Sequence, residues 1–390
     1  MTLMQARHLD LSLTSHFKDQ TGAIVLLGPR QVGKTTIVKK TFSDAQILSV
    51  ENESIRSVLE RYDSSAYVSL LRPTASSIAF DEIQILSDPG RAAKILYDHF
   101  PQFHFIFTGS SAYNIKNKTS ESLAGRKIDY HLYPLTLSEY LVQTKLESNL
   151  TLSPILNINQ KHSSTIKPYD HQAILEKILL YGSYPHLINH PQDNLYLSNL
   201  VSSVVFKDLA ELSLLENKSA ALSLLKLLAH QIGSLINYAD LASRLGIDQR
   251  TVKRYISLFE QSYIIITLTP YSQNPRDEIG KMPKVYFVDT GLRNALIQDY
   301  SPLTSRSDTG ALFENFVILD LYKYNNYGNL GYQFYYWRTK SGSEIDLVLK
   351  KNDSLYGLEI KYNPRRVNRA FISRYPQASL QVISQNNYWV

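Results

Sequence analysis

A segment near the start of the chain combines glycines, a lysine and hydroxyl side chains at a spacing suited to phosphate binding. Its residues are Gly28, Pro29, Arg30, Gln31, Val32, Gly33, Lys34, Thr35 and Thr36. They match the Walker A pattern and follow the apolar run from Ala23 to Leu27, as a strand-to-helix loop requires. Such a loop points its amides and a helix N-terminus at the phosphates. The segment predicts an ATP site in which Lys34 contacts the β- and γ-phosphates and Thr35 binds Mg²⁺.

Two adjacent carboxylates follow the apolar run from Ile78 to Phe80. Adjacent acids alone are typical of a solvated turn. After a strand downstream of a phosphate-binding loop, they favour a catalytic interpretation. We expect Asp81 to hold the Mg²⁺ through water and Glu82 to polarise the attacking water as general base.

Two further elements are candidates for the same site. The run from Phe103 to Phe107 ends in small hydroxyl residues at the sheet edge where ligands of α/β folds bind, so Ser110 or Ser111 could sense the γ-phosphate. Arg126 could act as an arginine finger on a neighbouring subunit or stabilise transferred charge in its own. A surface salt bridge is the alternative for Arg126.

A second set of chemically capable residues lies near the C-terminus. Asp346 opens a strand-like run, and Glu359 and Lys361 follow as Glu-x-Lys on the next one. Strand alternation sends Glu359 and Lys361 to the same face, beside Asp346. Two carboxylates can hold Mg²⁺ against a scissile phosphate while the lysine assists the water, and Glu314 could supply a further acid. A charge pair on an edge strand, with no chemistry, is the alternative.

Between these two regions the sequence has the spacing of a helix-turn-helix unit. A short helix from Tyr238 is followed by a glycine turn, and Asp248 is placed to cap a second helix from Gln249 to Glu260. The second helix leaves basic side chains available to DNA, namely Arg250, Lys253 and Arg254. Strand-like runs at 264–268 and 284–288, joined by a polar loop containing Arg276 and Lys281, would form a wing. Contact with protein alone is the alternative.

Charge adds a second candidate DNA surface. The chain has 41 Lys and Arg against 35 Asp and Glu, a net charge of +6, which does not by itself require nucleic acid. The stretch from Arg365 to Arg374, which includes Arg366 and Arg369, contains no acid. It is either a phosphate-binding surface or a solvated helix face.

The elements that carry these residues fall into three regions. Strand-like and helical runs alternate in the first, which predicts βαβ units on a parallel sheet. The middle region is helical by its three- and four-residue apolar spacing, and one helix followed by strands makes a small α/β region at the end. We expect an α/β protein with domains at 1–165, 166–305 and 306–390, and a linker or a long exposed loop at about 143–168.

Composition excludes several classes of protein. Hydrophobic residues make up 44% and charged residues 19%, as in soluble globular proteins, and no run reaches membrane-span length. The chain has no cysteine, so disulfides, thiolate metal sites and a cysteine nucleophile are ruled out. The first residues do not resemble an export signal, so we expect a cytoplasmic protein without membrane contact.

Together, these motifs make the chain resemble a family of bacterial and archaeal AAA-type ATPases with a C-terminal region of unknown function. The resemblance runs almost end to end and also rests on Pro134-Leu135-Thr136, Tyr181-Gly182-Ser183-Tyr184-Pro185, Lys207-Asp208-Leu209, Gly310 to Asn315 and Tyr336-Trp337-Arg338-Thr339. It departs from the family at Ser183, where a second glycine is typical. The resemblance implies an AAA-type ATPase domain, a winged helix and a restriction-endonuclease-like C-terminal domain.

The combined interpretation is an ATP-hydrolysing protein, with Mg²⁺ as cofactor, whose nucleotide state controls a DNA-contacting C-terminal half. That half would be a Mg²⁺-dependent DNA nuclease in defence or DNA processing. Two alternatives stay open, an ATP-gated DNA-binding regulator with an inert nuclease fold and an ATP-driven switch for a protein partner. Each is compatible with a homo-oligomer.

Overall fold

The computed structural model describes residues 6–19, 22–110, 123–151, 169–203, 217–273, 282–363 and 369–388. The chain divides into two compact units. The first contains Met1–Leu135, Ser202–Glu216 and Ser257–Tyr263, and the second contains Thr136–Val201, Asn217–Ile256 and Ile264–Val390. Most of the expected linker at 143–168 lies outside the described residues. The division into three domains stays a prediction.

The first unit alternates strands and helices. Its elements are α1 (Leu9–Asp19), β1 (Ala23–Leu27), α2 (Lys34–Thr41), β2 (Gln46–Ser49), α3 (Glu53–Leu59), α4 (Ser64–Tyr67), β3 (Ser77–Asp81), α5 (Pro89–His99), β4 (His104–Gly109) and β5 (Lys127–His131). Each apolar run expected to be a strand in this region is one, with ends that differ by one or two residues.

These strands form one parallel sheet in the order β2-β3-β4-β1-β5. In its core Phe80, Phe105 and Phe107 stack with ring centroids 6.0 to 6.5 Å apart. Burying each ring contributes about 1.5 to 3 kcal/mol. Because all strands run the same way, the carboxyl ends of β1, β3 and β4 share one edge. The parallel sheet, a helical middle and a small C-terminal sheet confirm the predicted fold class.

Helices and a short hairpin make up the middle of the chain. They are α6 (Leu137–Gln143), α7 (His171–Tyr181), α8 (His186–Asn189), α9 (Asn194–Ser203), α10 (Lys218–His230), α11 (Tyr238–Leu245), α12 (Gln249–Gln261), β6 (Ile265–Leu268) and β7 (Lys284–Phe287). Side chains of Asp170, Asn217, Asn237 and Asp248 accept backbone N–H groups at the starts of α7, α10, α11 and α12. Gly246, at φ +64°, ends α11 and allows the turn into α12.

The C-terminal part is a small α/β arrangement. It contains α13 (Thr290–Ile297), α14 (Thr309–Tyr327), β8 (Gln333–Arg338), β9 (Glu344–Lys351), β10 (Ser354–Ile360), α15 (Ala370–Arg374) and β11 (Ser379–Ile383). The sheet order is β11-β10-β9-β8, with β9 antiparallel to both neighbours and β11 parallel to β10. None of the helices in the described ranges has the length and apolarity needed to cross a bilayer.

A buried carboxylate in α14 binds the start of α6. The Leu137 N–H donates to Asp320 Oδ1 at 2.9 Å, and the Ser138 N–H donates to the Tyr324 hydroxyl at 3.0 Å. The other Asp320 oxygen accepts the hydroxyl of Tyr388, near the C-terminus. Burial raises the pKa of Asp320 from 3.8 to about 6, although nearby Lys323 opposes the increase.

This raised pKa predicts a stability change with pH. A carboxyl whose pKa is higher in the folded state stabilises the fold below the unfolded pKa and loses that contribution as pH rises through the folded pKa. Asp320→Asn keeps an acceptor for the Leu137 N–H but does not ionise. We therefore expect the variant to gain roughly 3 kcal/mol in unfolding free energy relative to wild type as pH rises from about 4 to above 6. Urea unfolding of both proteins across this pH range measures the difference in their unfolding free energies. A difference that stays constant with pH would contradict the assignment.

Candidate functional site

The phosphate-binding segment forms the loop from the end of β1 to the start of α2. Gly28 has φ +154°, and a Cβ there would lie 1.9 Å from the carbonyl oxygen of Leu132. Gly33, at φ +95°, also adopts a conformation that favours glycine. These two positions explain why the motif needs glycine at both ends of the loop.

Lys34, the first residue of α2, is held inside this loop. Its side chain is buried, and its ammonium group donates to the carbonyl oxygens of Gly28 and Pro29, each at 2.9 Å. The rest of the motif surrounds it. Val32 is buried, Arg30 lies 3.9 Å from Glu51, Gln31 has φ +62°, and Thr36 is exposed. The loop therefore places a positive charge at its centre.

The two predicted magnesium residues meet beside this loop. The Thr35 hydroxyl donates to Asp81 Oδ2 at 2.8 Å, and the hydroxyl of Thr108 donates to the other Asp81 oxygen. Thr108 is near the end of β4, which pairs with β3. A hydroxyl beside a carboxylate is an oxygen donor set that suits Mg²⁺, so the residues present fit the ion that the motif implies.

Glu82 follows Asp81 in a left-handed backbone conformation, φ +58° and ψ +44°. This conformation costs a non-glycine residue on the order of 1 to 3 kcal/mol and is concentrated at functional sites. Gln84 Nε2 donates to Glu82 Oε2 at 2.5 Å. Burial tends to raise the pKa of Glu82, but the Lys34 ammonium and this hydrogen bond outweigh it and lower the pKa. Glu82 is therefore a carboxylate at neutral pH, as a general base must be.

The structure adds side chains that the motifs did not indicate. The buried guanidinium of Arg7 donates to the Val32 carbonyl at 2.8 Å and to the Tyr133 carbonyl at 2.6 Å. Gln84 also donates to the hydroxyl of Ser110, at 3.2 Å. Ser110 therefore contacts Gln84, the side chain that donates to Glu82. The hydroxyl that contacts Asp81 belongs to Thr108. Ser111 lies outside the described residues.

Arg126 lies at the end of the sheet where the strands begin, whereas the P-loop lies at the end where they finish. It precedes β5, and its carbonyl accepts the N–H of Ala23 at the start of β1. Its guanidinium contacts Asp98 at 2.5 Å, with both side chains partly exposed. This position excludes a role at the P-loop of its own chain in this structure. The surface ion pair that was its alternative is present, and a finger role on a neighbouring subunit stays a prediction.

The candidate catalytic residues near the C-terminus lie in contact with one another. Asp346 Oδ2 accepts from Lys361 Nζ at 2.9 Å, and Lys361 lies 3.0 Å from Glu359. Glu314 belongs to the same group, since the charge of Asp346 contributes to raising its pKa. We call Glu314, Glu344, Asp346 and Glu359 the acidic cluster. The sequence did not indicate that Lys284 and Tyr286 lie there too, because no motif links β7 to this region.

Among the described residues, no three His, Cys, Asp or Glu side chains are arranged to hold a metal ion. The contacts of the acidic cluster agree with this result, because lysines lie between its carboxylates. The metal-binding role predicted for Asp346 and Glu359 is therefore not supported by their geometry.

The candidate DNA-contacting residues are partly described. On α12, Arg250 and Lys253 are exposed, Arg254 is half-buried, and Lys253 Nζ lies 5.3 Å from the ring centroid of Tyr238. Arg369 and Arg374 are exposed. The loop with Pro275, Arg276 and Lys281, the basic residues Arg365 and Arg366, and the segment Lys207 to Leu209 lie outside the described residues.

Three family models match separate segments of the chain. Residues 20–141 match the family described as "AAA domain". This segment is similar to AAA-type ATPase domains. Residues 172–303 and 309–386 match two families described as domains of unknown function, DUF8612 and DUF4143.

Similar proteins occur in bacteria and archaea. An uncharacterized protein of Mycobacterium tuberculosis is 26% identical over 363 residues, which cover 92% of this chain and 73% of the relative. An uncharacterized protein of Methanocaldococcus jannaschii is 27% identical over 355 residues, covering 85% and 73%. Among solved structures, a Walker-type ATPase of Pyrococcus abyssi aligns with 15% identity over 74% of this chain and 94% of that chain, at a TM-score of 0.45.

Proposed function

We propose that this protein is a Mg²⁺-dependent ATPase whose nucleotide state controls DNA binding by its C-terminal half. One observation carries the ATPase part: Thr35, Asp81 and Thr108 are hydrogen bonded beside a buried Lys34, with the ionised Glu82 next to them. An AAA-type domain supplies the expected context.

Each residue has a distinct task in this proposal. Loop amides and Lys34 bind the phosphates, and Thr35 and Asp81 hold the metal. Bound Mg²⁺ would neutralise charge on the phosphate oxygens. Glu82 orients the attacking water and accepts its proton. Gln84 fixes the Glu82 carboxylate and reaches Ser110, which could report the presence of the γ-phosphate.

ATP hydrolysis by the purified full-length chain tests this proposal directly. Phosphate release should require Mg²⁺, stop when EDTA is added and resume when Mg²⁺ is restored. Release that continues in EDTA, or no release under any metal condition, would reject it.

The DNA part of the proposal rests on the helix after the glycine turn. Arg250 and Lys253 are exposed near the start of α12, where a recognition helix presents side chains to DNA. Loss of each phosphate contact should reduce the salt dependence of binding by about one unit of log-log slope.

We therefore expect Arg250→Gln/Lys253→Gln to weaken duplex binding and to flatten its salt dependence by about two units. Fluorescence anisotropy at several salt concentrations gives both quantities. Lys177→Gln/Lys226→Gln is the matched control, because it removes the same charge from exposed positions on α7 and α10. If both double variants lower affinity equally, α12 is not the DNA-binding surface, and the protein-partner interpretation gains support.

The C-terminal half either cuts DNA or carries an inert nuclease-like fold. The contacts in the acidic cluster favour the inert version, because its carboxylates are bonded to lysines of the chain itself. Plasmid incubated with the protein, ATP and Mg²⁺ or Mn²⁺ should remain supercoiled. Nicking that disappears in Asp346→Ala would establish the nuclease instead.

A further inference from the structure

The acidic cluster already contains cations supplied by the chain. Lys284 Nζ lies 2.5 Å from Glu344 Oε1 and 3.2 Å from Glu314 Oε1. The side chain of Lys284 is only 4% exposed. Lys361 contacts the two remaining acids of the cluster, Asp346 and Glu359. Each carboxylate of the cluster thus has an ammonium partner within 3.2 Å.

These carboxylates do not offer a free set of oxygens to a divalent metal ion, because each has at least one oxygen engaged by a donor of the chain. Asp346 Oδ2 accepts from both the Ile360 N–H, at 2.7 Å, and Lys361. Glu314 Oε1 accepts from the Tyr286 hydroxyl at 2.7 Å as well as from Lys284. Mg²⁺ requires near-octahedral oxygen ligands at close range, which would require these donors to leave.

The position of Lys284 is fixed by its backbone. It begins β7, pairs with Leu268 of β6 and forms a bridge with Leu235 on its other side. Three residues along, the Phe287 N–H and carbonyl both bond to the side chain of Asn315, at 2.7 and 2.8 Å. Asn315 is next to Glu314 on α14. These hydrogen bonds therefore hold the backbone of Lys284 next to the cluster.

The charges of the cluster are close to balanced without a metal. Arg338 lies 3.6 Å from Glu344, so three cations face four carboxylates. Burial tends to lower the pKa of Lys284, but the negative charges of Glu314, Glu344 and Asp346 outweigh it and raise the pKa above its ordinary value, so Lys284 stays charged. A divalent ion would add two charges to this nearly neutral group.

We propose that Lys284 is the built-in cation of the acidic cluster and fills the place between Glu314 and Glu344 that a divalent metal ion would need. The cluster then joins β7 to α14 and β9 as a permanent ion network. It excludes divalent metal in the folded protein. This inference concerns the cluster alone and does not depend on ATP hydrolysis.

Titration with Mn²⁺ tests the proposal, with the free ion followed by electron paramagnetic resonance in the full-length, nucleotide-free protein. Wild type should show no saturable binding at the cluster. Lys284→Gln should bind one more Mn²⁺ per chain than wild type, and adding Glu359→Gln to that variant should abolish this additional binding. Lys351→Gln, which removes an exposed lysine from the end of β9, should behave as wild type.

Lys284→Gln could unfold because its acids repel one another. Lys284→Gln/Glu344→Gln removes one acid with the lysine, keeps the net charge and leaves Glu314, Asp346 and Glu359 to bind Mn²⁺. Binding by either folded variant supports the proposal. Two results overturn it: saturable binding by wild type that is lost in Asp346→Asn, or no binding by any folded variant lacking Lys284.

Discussion

Lys34→Ala should bind ATP roughly 10- to 150-fold more weakly than wild type and show almost no turnover. The ammonium is buried inside the loop, where it donates to the Gly28 and Pro29 carbonyls. A hydrogen bond to a charged group contributes about 1.5 to 3 kcal/mol, and each 1.4 kcal/mol is a tenfold change in affinity. Titration calorimetry and release of labelled phosphate measure the two effects.

Lys39→Ala is the matched control, since Lys39 is an exposed lysine on the same helix. It should leave affinity and turnover unchanged, while circular dichroism shows that both variants fold. Normal hydrolysis by a folded Lys34→Ala protein would show that the P-loop assignment is wrong.

Glu82→Gln should keep ATP affinity and lose turnover by roughly 10²- to 10⁴-fold, the usual contribution of a general base. Glutamine has nearly the same shape, but its side chain cannot accept a proton from water. The phosphate-binding residues Lys34 and Thr35 are unchanged in this variant. The protein should therefore accumulate in an ATP-bound state, which filter binding of labelled ATP detects.

Glu53→Gln provides the comparison for this change, because Glu53 is an exposed acid in the same unit. A second measurement separates chemistry from structure: the pH profile of turnover. Loss of Glu82 should remove the decline at acidic pH that reflects protonation of the base. If affinity and turnover fall together in a folded Glu82→Gln protein, Glu82 is a structural residue and another base must exist.

The sequence predicted the N-terminal sheet and its P-loop well because their signals are local. An apolar strand, a glycine loop and a helix start occupy consecutive residues, and two acids end the strand that carries Asp81. Parallel pairing then brings these loops to one edge, so the contact between Thr35 and Asp81 could be expected. The cap of α12 by Asp248 was similarly available from residues three positions apart.

Contacts between residues far apart in the sequence could not be predicted from local signals of this kind. Arg7 reaches the P-loop carbonyl of Val32 from 25 positions away and belongs to no motif. Lys284 reaches Glu314 from 30 positions away, and its strand was expected to be part of a wing. Local spacing around Arg126 could not predict whether the arginine lies at the carboxyl or the amino ends of the parallel strands. Only the register of β5 against β1 decides that.

The contact between α6 and Asp320 also has a consequence for protein synthesis. Leu137 and its partner are 183 positions apart, whereas β1 to β5 are complete by His131. At about 5 to 20 residues per second, roughly 10 to 40 s pass on the ribosome before Asp320 is made. The N-terminal sheet can form during this interval, while the buried apolar residues of α6, Leu137 and Leu141, still lack α14. Nascent chains stalled before residue 320 should therefore expose an apolar helix directly after a finished sheet, a segment that a chaperone would recognise.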